Sequence, residues 1–371
     1  METIFIDENI PYLKEILEKD YKTYCFKGRE LNCQTLAQEH CNSLFVRSTT
    51  RVSENLLADT DVKFVASATS GIDHIDVEYL QNNNIHFSFA NGANSNSVAE
   101  YVMFGILLYS FNKHIDVSKL TIGIIGLGNI GKKVAYYCNK IGIKILVNDP
   151  VLLDEGYKFP QVCKYCELDE LLENANIITN HVPLNINGKY PTYNLLQNEN
   201  LSKIKKNSLL IHSSRGGVIN ENDLLKFLKQ RDDVELIIDV FENEPEINVP
   251  LIQRSIIATP HIAGYSHNGK INGVNMVLDD FENYFSNKFD RIEINNIINN
   301  QNSNSLHENL SECYNNIHSS RQLLEDSLRL NDILWLNSVD RRDAFDKLRK
   351  EYPIRFEYLK IDLDEYSKLF F

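Results

Sequence analysis

A single glycine-rich turn constrains the fold of this chain more than any other feature. The apolar stretch TIGII leads into GLGNIG, and an amphipathic stretch and a second apolar run, KILVN, follow. Gly126 permits a tight turn, Gly128 lets the backbone approach a phosphate group, and Gly131 allows a helix to pack closely on a strand. This order of strand, turn, helix and strand predicts a βαβ unit that binds a dinucleotide.

The second strand of this unit ends at Asp149, eighteen positions after Gly131. A carboxylate there accepts hydrogen bonds from two ribose hydroxyls and repels a 2'-phosphate, so the expected cofactor is NAD rather than NADP. The N–H groups of a helix that begins near Asn129 and Ile130 are expected to hold the pyrophosphate. A site for S-adenosylmethionine, which can use a similar turn, and a plain turn with a surface aspartate remain alternatives at this point.

Composition narrows the class of protein. With 371 residues, 43% of them hydrophobic, the chain is long enough for two or three domains. A formal net charge of -13 disfavours nucleic acid as a partner, because a phosphate backbone needs clustered basic residues. The acidic N-terminus lacks the pattern of a signal peptide, and the apolar runs are too short to cross a membrane, so no membrane association and a cytoplasmic location are expected.

The cysteines and histidines do not predict a metal site. Seven cysteines, an odd number in a long chain, indicate reduced thiols rather than a disulfide framework. Cys163 and Cys166 form a lone CxxC without a second pair or suitably spaced histidines. We interpret them as incidental thiols and expect no metal.

Strand-like and helix-like stretches alternate along the first 290 residues, which is typical of α/β proteins with parallel sheets. We predict a Rossmann-type doubly wound domain that binds NAD over residues 94–264. A flavodoxin-like substrate domain is expected to be discontinuous, over 1–93 and 265–290. An Asn-rich stretch at 294–305 resembles a linker, and 291–371 is predicted to form a small α+β dimerisation domain, with helical spacing from Leu306 to Leu328 and a strand-like pattern from Phe356 to Leu363.

Three residues spread over the second half of the chain form a candidate catalytic set. These are Arg215 in SSRGG, Glu244 in DVFENEP and His261 in TPHIAGY. Imidazole can take a proton from a hydroxyl, a neighbouring carboxylate orients the ring, and guanidinium grips a carboxylate with two hydrogen bonds. Each residue alone is compatible with a structural role, but together, downstream of a dinucleotide loop, they indicate hydride chemistry on a hydroxy acid.

These three segments resemble the signatures of the D-isomer-specific 2-hydroxyacid dehydrogenases, and the resemblance covers nearly all of the first 290 residues. It implies that His261 is the general acid/base, Glu244 its carboxylate partner and Arg215 the cation that orients the substrate. That family usually has threonine at the position of Val182. Because valine lacks the hydroxyl, any contact with the cofactor there is expected through the backbone alone. The resemblance implies that further residues line the cofactor: Val182, Ser213, Ser214, Arg215, Asp239 and Gly264.

The segments FVRSTTRV, FVASATSGIDHID and FDKLRKEY are similar to one subgroup of that family, whose members oxidise a phosphorylated four-carbon hydroxy acid and form homodimers through a C-terminal domain. The resemblance implies substrate contacts by Ser48, Thr69 and Tyr265. Arg47 and Arg51 offer cations for a phosphate, although solvated charges at a strand end are the alternative. Other D-2-hydroxy acids, such as phosphoglycerate or glycerate, and a non-catalytic NAD-sensing scaffold similar to corepressors remain alternatives.

Overall fold

The computed structural model describes residues 2–292 and 309–371, which fall into two compact units. Unit 1 comprises 2–94 and 266–292, and unit 2 comprises 95–265 and 309–371. The predicted Asn-rich linker and Leu306 lie outside the described residues. In the described part of the chain, no helix is both long enough and apolar enough to cross a membrane.

Parallel strands form the centre of both units. In chain order the strands are β1 (Thr3–Asp7), β2 (Lys22–Phe26), β3 (Cys41–Val46), β4 (Phe64–Ser67), β5 (His86–Phe89), β6 (Thr121–Ile125), β7 (Lys144–Asn148), β8 (Cys163–Tyr165), β9 (Ile177–Asn180), β10 (Leu209–His212), β11 (Glu235–Ile238) and β12 (Ile257–Ala258). The α-helices are α1 (Leu13–Leu17), α2 (Cys33–Gln38), α3 (Glu54–Leu57), α4 (Val77–Asn82), α5 (Ser95–Lys113), α6 (Asn129–Lys140), α7 (Pro150–Asp154), α8 (Leu168–Asn174), α9 (Asn198–Leu201), α10 (Glu221–Gln230), α11 (Val249–Arg254), α12 (His267–Phe285), α13 (Leu310–Arg321), α14 (Leu323–Asp332), α15 (Ser338–Lys350) and α16 (Leu363–Phe370).

Unit 1 contains a five-stranded parallel sheet in the order β2-β1-β3-β4-β5. Every residue of β1 and β4 is buried, as expected when both faces of a parallel sheet are covered. α12 begins where the Ser266 hydroxyl accepts a hydrogen bond from the N–H of Gly269. Phe281 of this helix packs against Phe45 and Phe64 of the sheet, which explains why the segment after residue 265 belongs to unit 1.

Unit 2 contains a seven-stranded parallel sheet in the order β12-β11-β10-β9-β6-β7-β8. The winding reverses at β6, which pairs with β7 on one side and with β9 on the other. The predicted Rossmann-type, doubly wound arrangement is therefore confirmed. Because GLGNIG follows β6 directly, the glycine turn lies at the topological switch point, where such sheets bind ligands.

The tail, residues 309–371, packs on the sheet and helices of unit 2. α13 contacts α5, α14 contacts β12, and α16 contacts α6. Its buried apolar residues complete two clusters of that unit: Cys313, Ile317, Leu323, Leu359 and Phe370 in one, and Leu330, Leu334 and Phe345 in the other.

The strand predicted between Phe356 and Leu363 is wrong. Residues 352–362 form no helix or strand, and α16 begins at Leu363. The predicted helical stretch is also interrupted, because Gln322 adopts a left-handed conformation (φ 52°) between α13 and α14. The tail is therefore helical with one irregular segment.

Candidate active site and cofactor site

The loops that carry the predicted catalytic residues follow three neighbouring strands of unit 2. Arg215 follows β10, Glu244 follows β11 and His261 follows β12. Since these strands are parallel, their carboxyl ends lie at one edge of the sheet, where α/β proteins bind ligands. The topology thus explains how residues far apart in sequence reach the same edge.

Glu244 and His261 form a direct pair. Nδ1 of His261 lies 2.8 Å from Oε2 and 3.1 Å from Oε1 of Glu244, and the N–H of Phe241 donates to Oε1 at 3.0 Å. Burial opposes ionisation of Glu244, but His261, Arg349 and this N–H outweigh it and hold the pKa of the carboxyl below its ordinary value. The resulting carboxylate orients the ring through Nδ1 and leaves Nε2 for proton exchange with a ligand.

Asp239 holds the loop that presents His261. Its carboxylate accepts hydrogen bonds from the Thr259 hydroxyl at 2.6 Å and from the N–H groups of Ile262 and Ala263 at 2.8 and 3.0 Å. Burial raises the pKa of Asp239 to about 6, against the opposing effect of His261. Asp239 therefore supports the loop that carries His261, and the cofactor contact implied by the resemblance stays a prediction.

A fourth charged residue reaches the pair from α15. Nη1 of Arg349 lies 3.7 Å from Oε2 of Glu244, and the Arg349 side chain also forms a hydrogen bond with Tyr265. The segment FDKLRKEY, which contains Arg349, is one of those that carry the resemblance. The sequence does not predict the partner of Arg349, because the contact with Glu244 depends on how the tail packs on unit 2.

Arg215 lies at the same sheet edge. Its Nη1 donates to the backbone carbonyl of Ser214 at 2.8 Å. Beneath it, His212 is buried with Nδ1 3.2 Å from Oδ1 of Asn180, and burial lowers the pKa of His212 to about 3. His212 has no motif context in the sequence, and the structure makes it a neutral residue close to the Glu244–His261 pair.

The glycine turn leaves open space at its tip. Gly126 has a left-handed φ of 90°, and a Cβ placed on it would lie 2.8 Å from Val182, so that valine packs against the turn. A Cβ at Gly131 would lie 2.1 Å from the carbonyl oxygen of Gly126, whereas one at Gly128 would meet nothing within 4 Å. α6 begins directly after Gly128, so the N–H groups of Asn129 and the next residue, Ile130, lie at the end of the helix that favours a phosphate.

Asp149, at the end of the next strand, is hydrogen-bonded to the glycine turn. Its Oδ2 accepts a hydrogen bond from the N–H of Leu127 at 2.8 Å, and Oδ1 accepts one from Leu152 at 3.1 Å. A carboxylate has about four lone-pair positions, so these two bonds leave capacity for ribose hydroxyls.

Three buried polar atoms near the turn have no hydrogen-bond partner among the described residues. They are Nδ2 of Asn180, Nδ1 of His181 and Oγ of Ser213, at the carboxyl ends of β9 and β10. The Ser214 hydroxyl, in contrast, donates to Oδ1 of Asn180. Because buried polar groups are normally paired, these atoms and the open glycine turn fit a polar dinucleotide such as NAD. Gly264, the last predicted cofactor residue, follows in the His261 loop.

Unit 1 carries the other predicted substrate residues. Arg47 and Ser48 follow β3, and Thr69 follows β4, with its hydroxyl 2.9 Å from that of Ser67. Burial and the nearby Arg47 lower the pKa of Lys270, in the first turn of α12. The two cations therefore create a positively charged area within unit 1.

Cys163 and Cys166 are buried in different apolar clusters. Burial raises their pKa values to about 12 and about 11, which keeps the thiols protonated and unreactive. Across residues 2–292 and 309–371, no group of His, Cys, Asp and Glu side chains has the arrangement of a metal site.

A family model described as "D-isomer specific 2-hydroxyacid dehydrogenase, NAD binding domain" matches residues 105–263. Together with the sheet topology and the Glu244–His261 pair, this match defines an enzyme of the NAD-dependent D-2-hydroxyacid dehydrogenase class. The predicted class and cofactor are thereby confirmed.

Curated relatives identify a more specific family within this class. The erythronate-4-phosphate dehydrogenase of Wigglesworthia glossinidia brevipalpis is 34% identical over 371 residues, which cover 99% of this chain and 95% of the relative. That of Bacteroides thetaiotaomicron is 40% identical over 285 residues, which cover 76% of this chain and 80% of the relative. The chain belongs to the erythronate-4-phosphate dehydrogenase family.

Solved structures show the same fold. A D-lactate dehydrogenase from Aquifex aeolicus in complex with NAD and lactic acid matches with a TM-score of 0.63 at 24% identity, over 77% of this chain and 96% of its own. A 3-phosphoglycerate dehydrogenase from Entamoeba histolytica with bound NAD⁺ matches with a TM-score of 0.64 at 25% identity, over the same shares. Part of this chain therefore has no counterpart in those proteins.

Proposed function

We propose that this chain oxidises 4-phospho-D-erythronate to 3-hydroxy-2-oxo-4-phosphooxybutanoate with NAD, a step in pyridoxal 5'-phosphate (vitamin B6) biosynthesis. The names of its relatives supply the substrate, and the family model supplies the cofactor. The observation that carries the chemistry is the Glu244–His261 pair at the carboxyl edge of the NAD-binding sheet.

His261 acts as the base in this proposal. With Nδ1–H donated to the Glu244 carboxylate, Nε2 has a free lone pair and accepts the proton of the C2 hydroxyl. When bound in the site that the glycine turn forms, NAD would supply the hydride acceptor for C2. Glu244 then stabilises the imidazolium, and Arg215 grips the substrate carboxylate and polarises the forming carbonyl.

Ser48, Thr69 and Tyr265 are the further substrate contacts of this proposal. Ser48 and Thr69 offer hydroxyls, and Arg47 offers a cation, with Lys270 close to it. This charge supports the proposal because a chain with a net charge of -13 needs a local basic area to attract a phosphorylated acid.

A panel of D-2-hydroxy acids tests the substrate. NADH formation by the purified chain is measured with 4-phospho-D-erythronate, 3-phosphoglycerate and glycerate. We expect kcat/KM to be at least about tenfold higher for phosphoerythronate, because glycerate lacks the phosphate and 3-phosphoglycerate is one carbon shorter. Equal values across the panel would remove the substrate assignment.

A matched pair of histidine variants tests the base. His261 has a left-handed φ of 55°, which asparagine tolerates, so His261→Asn is expected to keep the loop and lower kcat by about 10²- to 10⁴-fold. His40→Asn is the control, since His40 is exposed in unit 1 and has a φ of 51°. An undiminished kcat in His261→Asn would remove the proton-transfer role.

We also infer that the chain forms a homodimer through its tail. Large apolar side chains are exposed there, with Leu328, Trp335 and Val339 at 65%, 88% and 63% exposure. A second copy of the chain, meeting the same surface, is the occupant that would remove them from water. A cytoplasmic location is supported by the seven free cysteines.

A further inference from the structure

α15 has one buried side chain, Phe345. Phe345 is fully buried and packs edge-on against Phe241, which lies in the loop that carries Glu244. Arg349 lies four residues later and therefore on the same face of α15, and its guanidinium lies 5.9 Å from the centre of the Phe345 ring. The helix thus has both an apolar anchor and a cation on the side that faces the catalytic loop.

The surroundings of Arg349 are unusual for a surface helix. Its side chain is only 23% exposed, and its Nε is buried without a hydrogen-bond partner in the described part of the chain. Its close contacts include the Glu244 carboxylate, which already binds His261, and Tyr265, which the proposed function assigns to the substrate. Burying a guanidinium costs free energy unless its contacts compensate, so its place beside two functional residues indicates more than docking.

From this geometry we propose that Arg349, which the C-terminal tail contributes, is a positioning residue of the catalytic site. It holds Glu244 ionised and in place beside His261, and it fixes the Tyr265 side chain for the substrate. The inference rests on the proposed function and deepens it, because it makes the tail a functional part of the active site.

The charge of Arg349 also affects the proton held by the catalytic pair. A cation beside Glu244 disfavours a second positive charge on the neighbouring imidazole, so loss of Arg349 favours the protonated ring. Among the described residues, other titratable or charged groups close to Glu244, His261 or Arg349 include His212, Glu221, Asp239, Tyr265 and Asp346. Because they are the same in wild type and in Arg349 variants, a change between these proteins reports Arg349.

Three full-length variants test this role. Arg349→Gln removes the charge, Arg349→Lys keeps it, and Arg342→Gln removes an exposed arginine of the same helix that pairs with Glu246. We expect Arg349→Gln to lower kcat/KM for phosphoerythronate at least about tenfold without changing the Kd of NAD. We expect the acid limb of its pH profile to move up by about half a unit or more. Arg349→Lys is expected to restore the position of the limb, and Arg342→Gln to behave as wild type.

An activity-independent measurement separates this inference from the proposed function. Imidazole NMR signals of His261, assigned by their loss in His261→Asn, are followed against pH in the free proteins. We expect them to change at higher pH in Arg349→Gln than in wild type. A variant that loses only thermal stability, with the same pH profile and NMR titration, would show that Arg349 merely docks the helix and would overturn the inference. An inactive wild type with the expected NMR shift would instead remove the substrate assignment alone.

Discussion

At the scale of single residues, two glycines of one motif have opposite physical roles. A side chain at Gly131 collides with the backbone of the turn, whereas a side chain at Gly128 points into open space. Gly131 is therefore needed by the fold, whereas the close approach of a ligand at Gly128 stays a prediction. The motif GLGNIG alone does not separate these roles, because both positions are glycine in the same pattern.

This difference gives a prediction for two matched variants. Gly128→Ala is expected to leave the melting temperature within about 2 °C of wild type, because the new methyl group meets no atom of the protein. It is expected to weaken NAD at least about tenfold, because the backbone can no longer approach the pyrophosphate. Gly131→Ala is the contrasting variant and is expected to lower stability by roughly 1–3 kcal/mol. Calorimetric titration with NAD and thermal unfolding measure the two effects, and unchanged NAD affinity in Gly128→Ala would contradict this use of the open space.

The sequence predicts residues better when a motif contains all of their partners. Gly126, Gly128 and Asp149 belong to one βαβ unit, so their spacing in the chain determines their spacing in the fold. Glu244 and His261 belong to separate loops, so their pairing was inferred from their chemistry and from the resemblance rather than from spacing, and in the structure they lie 2.8 Å apart. Nothing in the sequence predicts that Asp239 ties down the His261 loop, because those bonds go to backbone N–H groups.

At the scale of elements, the tail is joined to unit 2 by a buried ion pair. Arg321 at the end of α13 and Glu100 in α5 have fully buried side chains, with Nη1 3.3 Å from Oε1. Oε2 of Glu100 accepts hydrogen bonds from the N–H groups of Tyr358 and Leu359, both at 2.6 Å. One carboxylate therefore binds both α13 and the irregular segment of the tail.

The same bonds explain why the predicted strand between Phe356 and Leu363 does not form. The alternating apolar residues, among them Phe356 and Tyr358, led to the strand prediction, but the structure buries the residues that follow them, Glu357 and Leu359. The N–H groups that a strand would pair with a neighbouring strand are bound by Glu100 instead. A period-two pattern indicates extended backbone, but it does not identify the group that binds the backbone.

Breaking this ion pair from one side is expected to release the tail. Arg321→Leu leaves Glu100 buried without its cation, which is expected to lower the free energy of unfolding by about 3–5 kcal/mol. The double variant Glu100→Leu/Arg321→Leu is expected to be less destabilised than Arg321→Leu, because no buried charge remains. Thermal unfolding measures both, and Arg342→Gln, which breaks an exposed pair, is the control with an expected change below about 0.5 kcal/mol. An Arg321→Leu protein as stable as this control would contradict the proposed role of the pair.

The pair also predicts how stability depends on pH. Burial raises the pKa of Glu100 to about 7 from its ordinary 4.5, although Arg321 opposes this. The folded state therefore keeps a proton that the unfolded state has lost, so this contribution to stability falls as pH rises from about 4.5 to about 7 and is constant above that. Glu100→Gln is expected to remove this slope while keeping an acceptor for the two N–H groups. Urea unfolding at pH 5 and pH 8 measures it, and equal slopes in both proteins would contradict the assignment.

At the scale of the whole molecule, the tail is a functional extension of unit 2 rather than a separate body. The tail completes the apolar clusters of unit 2 and brings Arg349 to the catalytic pair. About eighty residues are too few for a large independent core, and residues 309–371 instead use the core of unit 2. The spacing of apolar residues in the tail does not show which surface they pack against, so this packing could not be predicted from the sequence.

A dimer test must therefore leave the tail in place. Truncation at Asn300 would remove Arg321 and Phe345 and expose the core of unit 2, so loss of a dimer would be confounded with unfolding. Substitution of the exposed apolar surface avoids this problem. The double variant Trp335→Glu/Val339→Glu changes side chains that contribute little to the core, and its melting temperature is expected to stay close to that of wild type.

The expected result follows from the cost of burying charge. If two copies meet through this surface, four new carboxylates per dimer enter the interface, and the dimer dissociation constant is expected to rise at least about 100-fold. Ile186→Glu is the matched control, because Ile186 is also exposed, at 69%, but lies in the loop after β9 rather than in the tail. Sedimentation velocity over a range of concentrations separates monomer from dimer. A double variant that sediments as a dimer at the same concentrations as wild type and the control would move the interface to another surface of the chain.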